Sequence, residues 1–449
     1  MNLIFYLFAA LIVLAPLPFG MVYTLHQAVF ACLALALAAA CTIVGLIRAQ
    51  APAVGLGRLW PETAGFFLVL AWGAAQIASW TPRNWHHPIW AEAGAALDQA
   101  LDGCISLAPG AGFASLMRLA AYAAVFYLAL QLGRDRHRAR RLLWTVALAA
   151  AGYGIYGLVS HWGRFESILW VEREGAWRNV SGTFVNRNNF ATFLGFGLLA
   201  AAGLYLQEVV RALGTGRRGR DRLHHLWQRL FVAGAPLLAL VLVLGTALFL
   251  TRSRAGVACA LAALLVLVVF LGVLARTAGP LWRLLTVALL AALLWVFLTS
   301  GGGWLGRLMA TDLERETRLQ VYAQTWQAIR QAPWTGYGIG AYEQAFLLFA
   351  DTRTANSYKA HNDWLEMIFE LGLPAAAVWF AVLGALCGRC LLGVWRRRRD
   401  HVYAAVGFCA ALLAALHALV DFSLQIPAVA ATLAVLLGLG VAQGWSSEE

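Results

Sequence analysis

The chain has 449 residues, 61% of them hydrophobic and only 12% charged, with a mean hydropathy of +0.69. A soluble domain carries roughly a quarter of its residues as charges, so this composition excludes a soluble globular protein and defines an integral membrane protein. The net charge of +12 sits largely in short arginine clusters between apolar runs. These read as membrane-topology anchors, and no nucleic-acid partner is expected.

A bilayer core takes about 20 residues of helix. Apolar runs of that scale fall at roughly 3–20, 25–47, 63–80, 114–133, 142–160, 188–207, 231–250, 255–275, 284–300, 373–393, 401–421 and 426–443. The expected fold is therefore all-α, with about twelve transmembrane helices. The alternation that marks a membrane barrel is absent. The first run lacks a small-residue cleavage site and a basic leader, so it is expected to be a retained span. Basic clusters at Arg134–Arg141, Arg217–Arg229 and Arg396–Arg399 occupy alternate connections on one side. The positive-inside rule makes that side cytoplasmic, with both termini inside and residues 81–113, 161–187, 251–254 and 301–372 outside. The chain then divides into helices 1–9 (1–300), a large outer helical loop (301–372), and helices 10–12 with a cytoplasmic end (373–449).

In the first outer segment Trp85 and Trp90 are expected at the headgroup level. Six of the seven cysteines lie within spans and only Cys104 in an outer loop, so no extracellular disulfide framework can be built. Cys387-Gly388-Arg389-Cys390 has CxxC spacing but sits where a helix meets the cytoplasm, and helix packing is its expected role. His86-His87 and His224-His225 lack carboxylate or cysteine partners and fall on opposite sides, so neither a metal nor a cofactor is expected.

The second outer segment ends in Asn186-Arg187-Asn188-Asn189, which brings several donors to the outer boundary of the sixth span. That run suits either an anionic ligand or a helix cap; Arg178 is a weaker candidate. Arg252-Ser253-Arg254 lies between two apolar spans with almost no loop. Arginine there must reach water, a headgroup or an anionic ligand. Guanidinium suits diphosphate, offering fixed bidentate donors and a permanent charge. Snorkelling to the interface is the other reading.

The loop 301–372 opens on Gly301-Gly302-Gly303, which is expected to end the preceding span. A helix is expected over Asp312–Arg330, with Leu319, Tyr322, Ala323, Trp326 and Ile329 on one face and Arg318 on a solvated one. Pro333 and Gly336-Tyr337-Gly338-Ile339-Gly340 break it, and a short helix follows over 342–350. A third helix starts near Asn362 or Asp363. Asp363 fits its N-cap, Glu366 completes a capping box, and Trp364, Leu365, Ile368 and Phe369 share one face. His361 stands immediately before it. The positive end of the helix dipole disfavours charge on this ring, and a neutral imidazole can accept a hydroxyl proton. A purely local structural role is the alternative. His417 and Asp421 are spaced to share a helix face, as a pair that locks the bundle.

Taken in order, Gly182-Thr183-Phe184 with Asn186 and Asn188-Asn189, Ser253-Arg254-Ala255, Gly336-Tyr337-Gly338-Ile339-Gly340, His361-Asn362 with Leu365-Glu366 and Glu370-Leu371-Gly372, and His417 to Phe422 resemble the bacterial O-antigen ligase and polymerase superfamily. The resemblance covers roughly 150–430. It implies a metal-independent glycosyltransferase of the bacterial inner membrane, active on the periplasmic face. The implied donor is an undecaprenyl-diphosphate-linked glycan and the implied acceptor the lipid A-core oligosaccharide. It implies that Arg187 and Arg254, with Arg252 assisting, contact the diphosphate and that His361 activates the acceptor hydroxyl, giving inversion. Asn186, Asn362, Arg318 and Asp421 are expected to support them. Arg187 departs from the pattern, since many relatives have proline there. Three other readings share these features: a polymerase extending carrier-linked repeats, a protein O-oligosaccharyltransferase, and a lipid-glycan transporter. The clustering of ionisable groups at the outer boundary, without an internal repeat, favours an enzyme over the transporter.

Overall fold

The computed structural model describes residues 1–173, 175–213, 224, 227–274, 280–300, 313–397 and 400–445. Most of the basic cluster 217–229, the glycines at 301–303, and Arg398 and Arg399 fall outside the described residues. A helix lies on each of the twelve apolar runs: α1 (Asn2–Leu14), α2 (Thr24–Ile47), α3 (Trp60–Gln76), then, after the short outer helix α4 (Ile89–Leu97), α5 (Pro109–Leu132), α6 (Arg136–Trp162), α7 (Arg187–Leu213), α8 (Ala235–Leu250), α9 (Arg254–Leu274) and α10 (Pro280–Ser300). The helices α11 (Leu313–Gln331) and α12 (Tyr342–Ala345) lead into α13 (Asp363–Arg396), α14 (Val402–His417) and α15 (Pro427–Ala442). Among the described residues, six helices are long and apolar enough to cross a membrane: α2, α5, α6, α7, α9 and α13. The apolar helices α1, α8, α14 and α15 are shorter, at 13, 16, 16 and 16 residues.

The helices pack as a bundle with α7 and α15 at its centre. Most of α7, and nearly every residue of α15, is buried. Both are rich in small residues, which let apolar helices approach where lipid offers no hydrophobic drive to association. At the crossing of α14 and α15, a Cβ on Gly440 would stand 2.7 Å from the Cys390 sulfur and 3.2 Å from Gly407 Cα. Cys390 is thus packing material, as expected for the CxxC, and all seven cysteines are free.

The ends of α5, α7, α13 and α15 and the starts of α6 and α14 share one end of the bundle. Basic side chains gather there. Glu208 bonds Arg140 at 3.1 Å and Arg211 at 2.9 Å. Arg134 and Arg397 donate to the Trp445 carbonyl at 3.0 and 2.8 Å. The opposite end collects the starts of α7, α9, α13 and α15.

The segment that carries α11 and α12 is held by a small aromatic core of Tyr337, Tyr342, Phe346 and Phe369. The face that α11 turns inward is Val321, Thr325, Ala328 and Ile329; Leu319 and Trp326 of the expected face are exposed. The helix is therefore rotated from its apolar periodicity, because Thr325 turns inward to bond the Tyr342 hydroxyl at 2.8 Å. Arg318 is half-buried rather than solvated. The glycine-rich turn fixes this subdomain to the bundle. Gln76, at the end of α3, donates to the carbonyls of Thr335 and Glu370 at 2.7 and 2.8 Å and accepts from Ile339 N–H at 3.0 Å. Gly336 (φ +63°) lies against Gly372 (φ +76°), where α13 bends; a Cβ on Gly336 would meet the Glu370 carbonyl at 2.3 Å. No residue with a side chain fits this crossing.

Candidate active site

Three of the helices that start at the end opposite the basic cluster are capped by side chains. Asn186 Oδ1 accepts the Asn188 N–H at 2.8 Å at the head of α7. Ser253 Oγ accepts the Gly256 N–H at 3.3 Å at the head of α9. Asn362 Oδ1 accepts the Leu365 N–H at 3.0 Å at the head of α13. The cap of α13 is therefore Asn362 and not Asp363. Asp363 instead turns to the α14–α15 connection, accepting from Leu424 N–H at 3.2 Å and the Gln425 amide at 3.0 Å. Glu366 reaches back to the Ala360 N–H at 3.2 Å and to Lys359 at 3.3 Å, closing the turn that carries His361. The positive dipole ends of these helices gather at this end of the bundle, a setting that favours anions.

His361 adopts φ +51°, a left-handed conformation unusual for a residue with a side chain. Its carbonyl accepts the Tyr322 hydroxyl at 3.0 Å, and two residues on, the Asp363 N–H donates to the Ala418 carbonyl at 2.8 Å. The ring meets Phe422 edge to face at 5.1 Å. Nδ1 stands 3.8 Å from Asp421 Oδ1, an ion-pair distance beyond a hydrogen bond.

Asp421 is fully buried. It accepts from the Ser423 hydroxyl in a short hydrogen bond and from the Asn188 amide at 3.4 Å. Burial pushes its carboxyl up, but the His361 and His417 rings and the Ser423 hydroxyl outweigh burial and hold it below its ordinary value. The expected His417–Asp421 pair does not form as a direct contact. α14 ends at His417, so helical spacing no longer governs Asp421. His417 Nδ1 meets Thr192 Oγ1 at 2.7 Å instead, and Thr192 donates onward to Ser423 at 3.0 Å. Asp421 faces His361, while His417 braces the layer beneath it.

Beside Phe422 opens a cavity of about 590 Å³. Its polar lining includes Arg173, Arg178, Arg187, Asn179, Asn186 and Asn189, and its apolar lining Phe19, Val22, Phe184, Phe422 and Ile426. Arg187 donates to Asn179 Oδ1 at 3.0 Å, and Arg173 to the Val185 carbonyl at 2.6 Å. Both guanidinium groups thus have a fixed place. Arg252 and Arg254 are exposed at the α8–α9 turn and are not part of that lining. The turn is joined to the cavity's loop by the Val180 N–H, which donates to the Leu250 carbonyl at 3.2 Å. Gly256 of α9 lies against Ala191 of α7. Arg318 is within electrostatic reach of Tyr322, as is Asp421. Among the described residues no three His, Cys, Asp or Glu side chains stand close enough to share a metal ion.

The structure thus groups His361 with Asp421, Asn362 and Tyr322, and places Asn186 and Arg187 in the cavity that Phe422 also lines. Sequence reasoning passed over Arg173, Asn179, Thr192 and Ser423 and read Tyr322 only as helix periodicity. A weak signal was present in the polar density of 173–189.

These features define a polytopic α-helical membrane protein with a cationic cavity and a carboxylate-backed histidine at one end of its bundle. Residues 238–380 match the family model described as O-antigen ligase. The match supports the O-antigen ligase and polymerase superfamily, and with it a membrane glycosyltransferase of ligase or polymerase type. No curated protein matches the chain.

Proposed function

We propose that the protein transfers a glycan from an undecaprenyl-diphosphate carrier to a sugar hydroxyl of lipid A-core, in the manner of an O-antigen ligase, on the periplasmic face of the bacterial inner membrane. The observation that carries this reading is the cavity at Arg187. Three arginines and a largely apolar wall suit an amphiphile with a dianionic head, and Phe422 joins that cavity to His361. An apolar groove of about 540 Å³ between α1 and α6 includes Thr183 in its lining, and Thr183 is the chain neighbour of Phe184 in the cavity, an arrangement that supports a lipid donor. The crowding of arginines at the other end of the bundle supports a cytoplasmic placement of that end and of both termini.

In this mechanism the acceptor oxygen attacks the anomeric carbon as its proton passes to His361. The bond from that carbon to the diphosphate oxygen breaks, and the diphosphate leaves with the electron pair. Attack opposite the leaving group inverts the anomer. Charge grows on the diphosphate, where Arg187, Arg173 and Arg178, assisted by Arg252 and Arg254 across the neighbouring turn, stabilise it. The imidazolium that forms on His361 faces the buried Asp421 carboxylate, which stabilises and orients it. Asn362 fixes the helix start behind the ring, and Arg318 adds positive potential from α11.

Purified protein with lipid-linked donor and lipid A-core tests this directly. His361→Ala is expected to abolish transfer while leaving donor binding intact; full transfer by that variant would remove His361 from the chemistry. Extension of carrier-linked repeats without transfer to lipid A-core would make the protein a polymerase.

A further inference from the structure

His361 holds a backbone conformation that its own chemistry does not favour. For a residue with a Cβ, φ +51° costs on the order of 1 kcal/mol and persists only where the surroundings over-determine it. Two hydrogen bonds hold the backbone of this turn, one on His361 itself and one two residues along. The Asp363 N–H is held by Ala418 of the α14–α15 connection. The His361 carbonyl is held by a single side-chain hydroxyl, that of Tyr322, 39 residues earlier on α11.

We infer that Tyr322 is a positioning residue for the transfer reaction, its hydroxyl locking the His361 peptide so that the imidazole stays between Phe422 and Asp421. The inference rests on the proposed role of His361 as base. Tyr322 is half-buried, and its phenol is pushed up by burial, so the hydroxyl stays a proton donor to the carbonyl over the working pH range. A phenylalanine at this position fills the same space and loses only the bond. The ring would then be free to swing away from Asp421, because a carbonyl without its donor no longer opposes relaxation of φ. Tyr322 also ties the ring to the outer subdomain, whose core sits one turn further along α11 at Thr325 and Tyr342.

The test compares Tyr322→Phe, Thr325→Val and His361→Ala in the full-length protein, with rates normalised to the folded fraction measured by size exclusion. Thr325→Val removes a hydrogen bond from the same helix without touching His361. Tyr322→Phe is expected to lower kcat about tenfold, as a base displaced by a fraction of an ångström does, with KM for the donor within about twofold. Thr325→Val is expected to lower Tm and keep kcat. Wild-type kcat in Tyr322→Phe, an equal loss of kcat in Thr325→Val, or aggregation of Tyr322→Phe would each overturn the positioning role. Full transfer by His361→Ala would overturn the base reading itself. Inactive His361→Ala beside fully active Tyr322→Phe would overturn the Tyr322 role alone.

Discussion

Asp421→Asn isolates the electrostatic part of the proposed mechanism. The substitution keeps shape and hydrogen-bonding capacity but removes the charge that faces His361. When His361 takes up the acceptor proton, opposite charges stand 3.8 Å apart. At an effective dielectric of about 20 their attraction is about 4 kcal/mol. The histidine keeps 32% of its side chain exposed, and solvent screening reduces the attraction to about 2 kcal/mol. This charge exists only as the proton moves, so the loss falls on the transition state and amounts to roughly 30-fold in kcat, with donor KM little changed. The assay is single-turnover transfer in nanodiscs. Since the Asp421 carboxyl lies below its ordinary value, it is ionised throughout the neutral range. The effect of the variant is therefore expected to be constant across that range. A kcat within about twofold of wild type would refute the argument, because it would show the carboxylate contributes nothing to the charged ring.

Other consequences follow from the same geometry. Arg187→Ala and Arg178→Ala are each expected to weaken donor binding about tenfold, with a steeper loss in low salt; unchanged affinity for a prenyl diphosphate would empty the cavity of its assigned role. Gly336→Ala forces a Cβ to 2.3 Å from the Glu370 carbonyl at φ +63°. It is expected to cost more than about 3 kcal/mol, read as a marked fall in Tm in detergent, and an unchanged Tm would mean the crossing can open. Lys359→Met leaves the Glu366 carboxylate, 2% exposed, without its ammonium partner and is expected to cost about 2 kcal/mol. Burial pulls Lys359 down, but Glu366 and Glu370 outweigh it and raise the group above its ordinary value. Its stabilisation is therefore fully present below about pH 10 and lost only as pH rises through the folded value. Burial beside Glu366 raises the Glu370 carboxyl to about 7, so it ionises in this range and adds to the attraction on Lys359. The Tm gap between wild type and variant should widen from about pH 6 to pH 9, and a gap that closes in that window would contradict the pairing.

What could be read in the sequence was what depends on neighbours along the chain. Each apolar run carried a helix because hydropathy summed over about 20 residues outweighs local detail. The heads of α7 and α13 were visible in Asn186-Arg187-Asn188-Asn189 and His361-Asn362-Asp363 because capping is a local exchange of hydrogen bonds. Contacts set by packing were not legible. Thr192 and His417 meet across 225 residues, and Ile339 and Gln76 across 263. Spacing misled at Asp421, where the helix had already stopped. It misled again on α11, where one buried hydroxyl pair outweighed the apolar stripe of Leu319 and Trp326.

The matched segment 238–380 contains Arg252, Arg254, Arg318 and His361, but Arg187 and Asp421 lie on either side of it. The proposed site is therefore composite. The base and its outer support come from the matched segment, and the cationic cavity and the carboxylate behind the base come from helices that flank it. Only the bundle brings these parts together, through Asn188 of α7 bonding to Asp421 and Asp421 facing His361. A change in the core packing of α7 against α14 would then separate base from leaving-group site without altering a residue in either. A loss of kcat in variants of buried Thr192 or Ser423, with donor affinity retained, is what this composite construction requires.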